Sequence, residues 1–134
     1  MNLADVMQAV ADRLDTITGL RCFGYPADKI TPPAAVVTYP ESYDYDSTYN
    51  RGMDRMELPV VVLVGKTSDR ATRANLARYA DGSGAASVKA IVESGTYTAF
   101  DTVRVVRVVF DVVTIAGSAY LAATFTLDIT GSGA

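Results

Sequence analysis

Two long apolar strands with almost nothing between them dominate the end of the chain. Residues 101–116 (DTVRVVRVVFDVVTIA) and 119–130 (AYLAATFTLDIT) are separated by Gly117 and Ser118 alone. Glycine first in a two-residue loop predicts a tight hairpin with a type II′ turn. The second strand alternates cleanly. Ala119, Leu121, Ala123, Phe125, Leu127 and Ile129 fall on one face, Thr124, Thr126, Asp128 and Thr130 on the other, as in a half-buried strand. The first is apolar on both faces over most of its length, which predicts a central position in a sheet. Sixteen and twelve residues exceed the usual strand of about five or six. A chain of 134 residues holds one core and cannot cover such strands end to end, so the hairpin is expected to protrude.

The remaining elements follow from period and punctuation. Leu3, Val6, Met7, Val10, Leu14 and Ile17 recur at spacings of three and four, predicting an amphipathic helix over 2–18 with Asn2 as N-cap and Gly19 at its end. Residues 20–25 and 34–39 read as strands around a loop marked by Pro26, Pro32 and Pro33. Residues 53–64 return as a strand with Met56, Leu58, Val60, Val62 and Val64 on one face. Pro59 lacks a donor and predicts an edge or a bulge there. A second helix is expected over 68–81, capped by Ser68, and a third over 85–94, after the break at Gly82-Ser83-Gly84. Residues 131–134 (GSGA) read as a flexible tail. The expected architecture is a single α+β domain over 1–130: a largely antiparallel sheet, an N-terminal helix and a central helix pair packed on it, and long protruding hairpins.

Composition narrows the chemistry. The chain has no His, no Trp and one Cys, which removes His-dependent nucleophile systems, His-ligated metals and an internal disulfide. A net charge of −3 is wrong for a bulk nucleic-acid binder. No apolar run reaches the ~18 residues of a membrane span. The opening MNLADVMQAVADRLD lacks the cationic start of a signal peptide, so synthesis and assembly in the cytoplasm are expected.

Candidate motifs fail on context. Gly65-Lys66-Thr67 resembles the end of a phosphate-binding loop, but position 60 is Val and a strand, not a loop, precedes Gly65. Asp44-Tyr45-Asp46-Ser47-Thr48 matches DxDxT without the buried strand an aspartyl nucleophile needs. As a calcium loop it has Tyr49 where Gly is required and Arg55 where Glu is required. Gly82-Ser83-Gly84 follows a helix, not the strand of a dinucleotide site. Cys22 sits in an apolar stretch and reads as structural. No catalytic residue, metal site or cofactor is expected.

One segment is not required by the fold. Residues 40–57 (PESYDYDSTYNRGMDRME) carry five acids and two arginines, a net −3 equal to that of the whole chain. Tyr43, Tyr45 and Tyr49 crowd there, and tyrosine is enriched at interfaces. The segment predicts an extended hairpin with its tip near 47–52, either a polar loop or a docking surface. Tyr43, Asp44, Tyr45, Asp46, Tyr49 and Arg51 are the partner-contact candidates. Lys66, Arg70, Arg73 and Arg78 form a basic patch at the second helix, read as a solvated face or a subunit contact.

The order of these elements resembles the small tail-terminator, or tail-completion, proteins of the neck of long-tailed bacteriophages. The resemblance runs through LADVMQAVADRLDTITGL, PPAAVVTYP, MELPVVVLVG, TSDRATRANLARYADGSGAASVKAIVE, VRVVRVVFDVV and YLAATFTLDIT. It implies a non-enzymatic virion protein whose six copies form a ring on the head-proximal end of the tail tube. The ring stops tube polymerisation and meets the head connector. Its implied partners are other copies of itself, the tail tube protein and a connector or stopper protein, with DNA only as passing cargo and no membrane. A stopper or connector subunit of the same neck is the alternative. The contact residues come from this chain itself: the Tyr43–Gly52 tip for tube or connector, and Arg70, Arg73, Arg104 and Arg107 for neighbouring subunits, which a closed ring must engage head to tail.

Overall fold

A computed structural model describes residues 2–17, 20–23, 33–45, 53–67, 70–115 and 117–132. The order is α1 (Leu3–Leu14), β1 (Arg21–Phe23), β2 (Ala34–Val37), β3 (Ser42–Asp44), β4 (Met53–Lys66), α2 (Arg70–Ala80), α3 (Val88–Glu93), β5 (Thr102–Ile115) and β6 (Ser118–Ser132). The strands form one six-stranded sheet ordered β1-β2-β4-β6-β5, with β3 beside β4. Among the described residues β1 and β2 pair in parallel and the other pairs are antiparallel. The fold is the α+β arrangement that the sequence predicts.

The helices cover one face of this sheet. Asn2 caps α1 by accepting from the Asp5 N–H at 3.1 Å, which satisfies a donor the first turn would leave free. Val6, Met7, Val10, Ala11 and Leu14 are buried. They join Met56, Leu58, Val60, Val62 and Val64 of β4 and Ala123, Phe125, Leu127 and Ile129 of β6 in one core. Each large side chain there contributes about 1.5–3 kcal/mol of transfer free energy. Arg13 lies off the apolar stripe and clamps α1 to α3. Its Nε donates to the Ile91 carbonyl at 2.8 Å and its Nη2 to Ser94 Oγ at 3.0 Å. A guanidinium there meets carbonyls that the helix end leaves unpaired. Ser87 caps α3, accepting from the Ala90 N–H.

Four local expectations need correction. β4 is central, not at an edge, despite Pro59. The Pro59 carbonyl accepts from the Thr38 N–H at 3.0 Å and Thr38 Oγ1 at 3.1 Å. A residue's N–H and C=O point to the same side of a strand, so the missing donor falls where β2 has ended and β3 has not begun. β5, expected to be central, is the edge strand. Ser118, expected in the turn, is already paired with Ile115 in the β5–β6 ladder. Gly117, with φ +80°, directly precedes β6 and does not open a Gly117-Ser118 loop, which removes the basis for the type II′ turn. Gly131 and Ser132 continue β6 opposite Asp54 and Met53 instead of starting a tail. The Ser68 cap lies outside the described residues.

Candidate assembly surface

The hairpin formed by β3 and β4 pairs Ser42, Tyr43 and Asp44 with Glu57, Met56 and Arg55. Asp46, Tyr49 and Arg51 lie outside the described residues. The two described tyrosines differ in environment. Tyr43 is half-buried against the core, and its hydroxyl donates to Asp54 Oδ2 at 2.9 Å. Burial first, then the Asp54 carboxylate, pushes the Tyr43 hydroxyl up to about 12. Tyr45 stacks obliquely on Tyr43, centroids 4.8 Å apart, and is 76% exposed. Asp44 is exposed beside it. The hairpin thus presents Asp44 and Tyr45 on a base that Tyr43 ties down.

The same hairpin carries part of a charged cluster on the outer face of the sheet. Paired residues share a face, so Arg55, Glu57, Asp128 and Arg104 all lie opposite the helices. Arg55 Nε donates to Asp128 Oδ1 at 2.7 Å and its Nη2 to Oδ2 at 3.2 Å. Glu57 lies 3.9 Å from the same guanidinium. The Asp128 hydrogen bond first, and its charge second, hold Arg55 further toward its cationic form than usual. Asp128 directly opposes Glu57, and Arg55 supplies the charge that makes that pairing tolerable.

β5 stays paired with β6 along its second half but is left uncovered there. Val109, Phe110 and Val112 are each more than half exposed. Among the described residues no strand pairs with its outer edge. Glu93 of α3 closes the start of that edge by accepting from the Val105 N–H at 2.9 Å. Burial alone would raise the Glu93 carboxyl, but hydrogen bonds from Lys89 and from Val105 outweigh it and hold it below the ordinary range. One extra residue at Val106 shifts the β5–β6 register. That bulge puts Arg104 and Arg107, three positions apart, on the same outer face. Both are exposed.

Arg70 and Arg73 are exposed on α2 and make no ion pair among the described residues. α2 packs on β4, β6 and α3, so its arginines stand apart from Arg104 and Arg107 on the other face. Arg78 is engaged locally, donating to Asn75 Oδ1 at 3.1 Å. The fold therefore does not gather the predicted contact residues into one patch. It places Asp44 and Tyr45 at one end of β4, Arg70 and Arg73 at the other, and Arg107 on the free strand. Sequence reasoning missed Asp54, Glu93 and Asp111, whose roles depend on partners brought up by tertiary structure. Strand alternation already placed Asp128 on the outer face.

The motifs set aside from sequence have structural roles. The Thr67 N–H donates to the Ala119 carbonyl at 3.1 Å, so Gly65-Lys66-Thr67 is held in strand pairing. The open cleft beside it, about 320 Å³, is lined by Gly65, Lys66, Thr72, Asn75 and Tyr120 among others. Burial first, then Asp15, pushes the Cys22 thiol up to about 12, which keeps it protonated. Among the described residues no group of three or more His, Cys, Asp or Glu is placed to hold a metal. No helix there is long and apolar enough to cross a membrane. Compared with protein-family models and with curated protein sequences, the chain matches none.

Proposed function

We propose that the chain is a structural subunit of a bacteriophage neck: a tail terminator whose six copies close a ring on the head-proximal end of the tail tube. The reading starts from the resemblance in the order of elements. One observation supports it physically. Acidic charge in the sequence is concentrated in residues 40–57, while Arg70 and Arg73 on α2 are exposed and make no ion pair among the described residues. The hairpin pairs at residue 57 and α2 packs at residue 65 of β4, roughly 26 Å further along at ~3.3 Å per residue. Unlike charges that far apart on one molecule cannot neutralise each other, but neighbouring copies can do so head to tail. Such heterologous contacts close into rings.

In this arrangement the exposed Asp44 and Tyr45, with the rest of the tip, face the tube protein or the connector. Acids facing a lumen repel the DNA backbone and let it pass as cargo. A stopper or connector subunit of the same neck would use the same surfaces.

The test combines native mass spectrometry over a concentration series, with and without purified tail tubes, and localisation in virions. The expected result is a six-copy species that Arg70→Glu with Arg73→Glu abolishes, and label at the head-proximal tail end. Hexamers indifferent to that charge reversal, or a chain located elsewhere in the particle, would overturn the reading.

A further inference from the structure

The free edge of β5 has a definite backbone phase. Ile115 and Ser118 pair with two residues between them, and such closing pairs exchange their hydrogen bonds. The N–H and C=O of Ile115 therefore point toward β6, and those of Thr114 point outward. The other side of β6 agrees: the Ala119 carbonyl, opposite Thr114, accepts from Thr67 on β4 instead of from β5. Counting back by twos through a stretch with no register shift, Val112, Phe110 and Val108 also point outward. The Val112 N–H accordingly donates to Asp111 Oδ1 at 2.8 Å, outside the ladder. Val108 and Phe110 offer unpaired backbone groups to solvent, between exposed apolar side chains, on a strand edge built to pair.

We propose that this edge pairs antiparallel with β5 of a second copy, with Val109 on the two-fold axis. The side chains select this register. Outward residues must face outward residues, so pairing can slip only in steps of two. With Phe110 opposite the partner's Val108, both donors and both acceptors are satisfied on each side of the axis. Arg107 then faces the partner's Asp111, reciprocally, on the face away from the helices. A slip of two centres the axis on Val108 or Phe110 and sets Arg107 and Asp111 opposite valines, losing both ion pairs, and a slip of four centres it on Arg107 or Asp111 and sets the two arginines or the two acids against each other. Like charges directly opposite destabilise a strand pair. Asp111 is already oriented, one oxygen held by the Val112 N–H and the other left for a guanidinium. Arg107 is exposed and makes no ion pair within the described chain.

Two-fold pairing closes on two copies and cannot propagate. It is therefore a contact distinct from the head-to-tail ring and does not depend on the ring reading. It covers Val109 and Phe110 when the subunit is off the tube.

The experiment is a charge swap read by native mass spectrometry and sedimentation, with circular dichroism to verify folding. Wild type is expected to dimerise. Arg107→Asp and Asp111→Arg should each raise the dimer dissociation constant by about tenfold or more, since each change places like charges opposite one another twice. Mixed one to one, R107D and D111R should form a heterodimer, because every pair across the axis is again of opposite sign. Separately, Val109→Cys should cross-link to dimer on mild oxidation while wild type, with only Cys22, does not. Val109 occupies a non-hydrogen-bonded pair, with Cα atoms about 4.5 Å apart, within the range a disulfide spans. Wild type monomeric at all concentrations, single variants that still dimerise, or a mixture that stays monomeric would each overturn the pairing. Should a charge variant misfold, V109C decides: cross-linked dimer supports the register and its absence refutes it. Hexamers lost only with the α2 reversal would leave this pairing standing, and hexamers retained without any β5 dimer would do the converse.

Discussion

Gly65 begins the Gly-Lys-Thr sequence, and its role can be read from one substitution. A Cβ added there would stand 2.6 Å from Thr72 Oγ1, with Thr72 Cβ and Cγ2 at 3.6 Å. Ordinary contact begins near 3.4 Å, so something must move by about 0.8 Å, and Thr72 is buried at 3% exposure. Overpacking of this kind costs about 1–3 kcal/mol. Gly65 does not need a left-handed backbone, so alanine also gains about 0.4–1 kcal/mol by restricting the unfolded chain. The expected net effect of Gly65→Ala is a loss of about 1–2 kcal/mol. In a Thr72→Ala background the clashing oxygen is gone and only the gain remains, so the same substitution should stabilise by about 0.4–1 kcal/mol. Urea midpoints at constant m-value measure all four corners of this cycle. An equal effect of Gly65→Ala in both backgrounds would refute the idea that this glycine is small to admit α2. The sign reversal would establish that the motif is a packing joint.

Further outcomes follow from the titrating groups. Tyr43→Phe removes a hydrogen bond to a nearly buried carboxylate and should cost about 1.5–3 kcal/mol, whereas Tyr45→Ala, at an exposed position, should stay within about 0.5 kcal/mol. Because the Tyr43 hydroxyl is raised to about 12 from its ordinary 10.0, its stabilisation is complete below pH 10 and fades as pH climbs through 12. An absorbance titration should lose its component near 12 in the variant, and an unchanged titration would count against the contact. Cys22, raised to about 12 from 9.0, should resist iodoacetamide at mildly alkaline pH until urea unfolds the chain; stoichiometric labelling of folded protein would contradict its burial. The Glu93 carboxyl is lowered from 4.5, so its stabilisation is present above that value and lost as pH falls through the depressed one. Glu93→Gln should flatten the stability profile on that acid limb.

The fold was legible where a single element's own pattern decides it. The stripe from Val6 to Leu14 and the clean alternation from Ala123 to Ile129 each name a buried face without any partner. The errors lie where the partner decides. Val109, Phe110 and Val112 look in sequence like any central strand, because an apolar face awaiting another chain has the same composition as one already covered. Pro59 argued for an edge because sequence does not reveal that its missing donor falls between two strands. Of the candidate surface, the segment 40–57 stood out by charge and tyrosine density, and within it Asp44 and Tyr45 are exposed beside the pairing of β3 with β4. The inward tie of Tyr43 was not legible. It depends on Asp54, eleven residues away, reached only once β3 lies against β4.

The extra residue at Val106 has a consequence for how the gene can change length. A one-residue deletion within a strand normally inverts every side chain on one side of the cut. Deleting Val106 would not: Val105 would still oppose Leu127 and Arg107 would still oppose Thr126, now as consecutive residues. The bulge is thus a built-in tolerance for a single-codon loss, found at one point of β5. The same loss at Val109 would have to be absorbed by sliding the bulge three positions or by turning the strand's apolar faces over. A deletion scan along 102–115 would read that tolerance as survival of the one product that lacks a valine of the Val105-Val106 pair, in a run of failures.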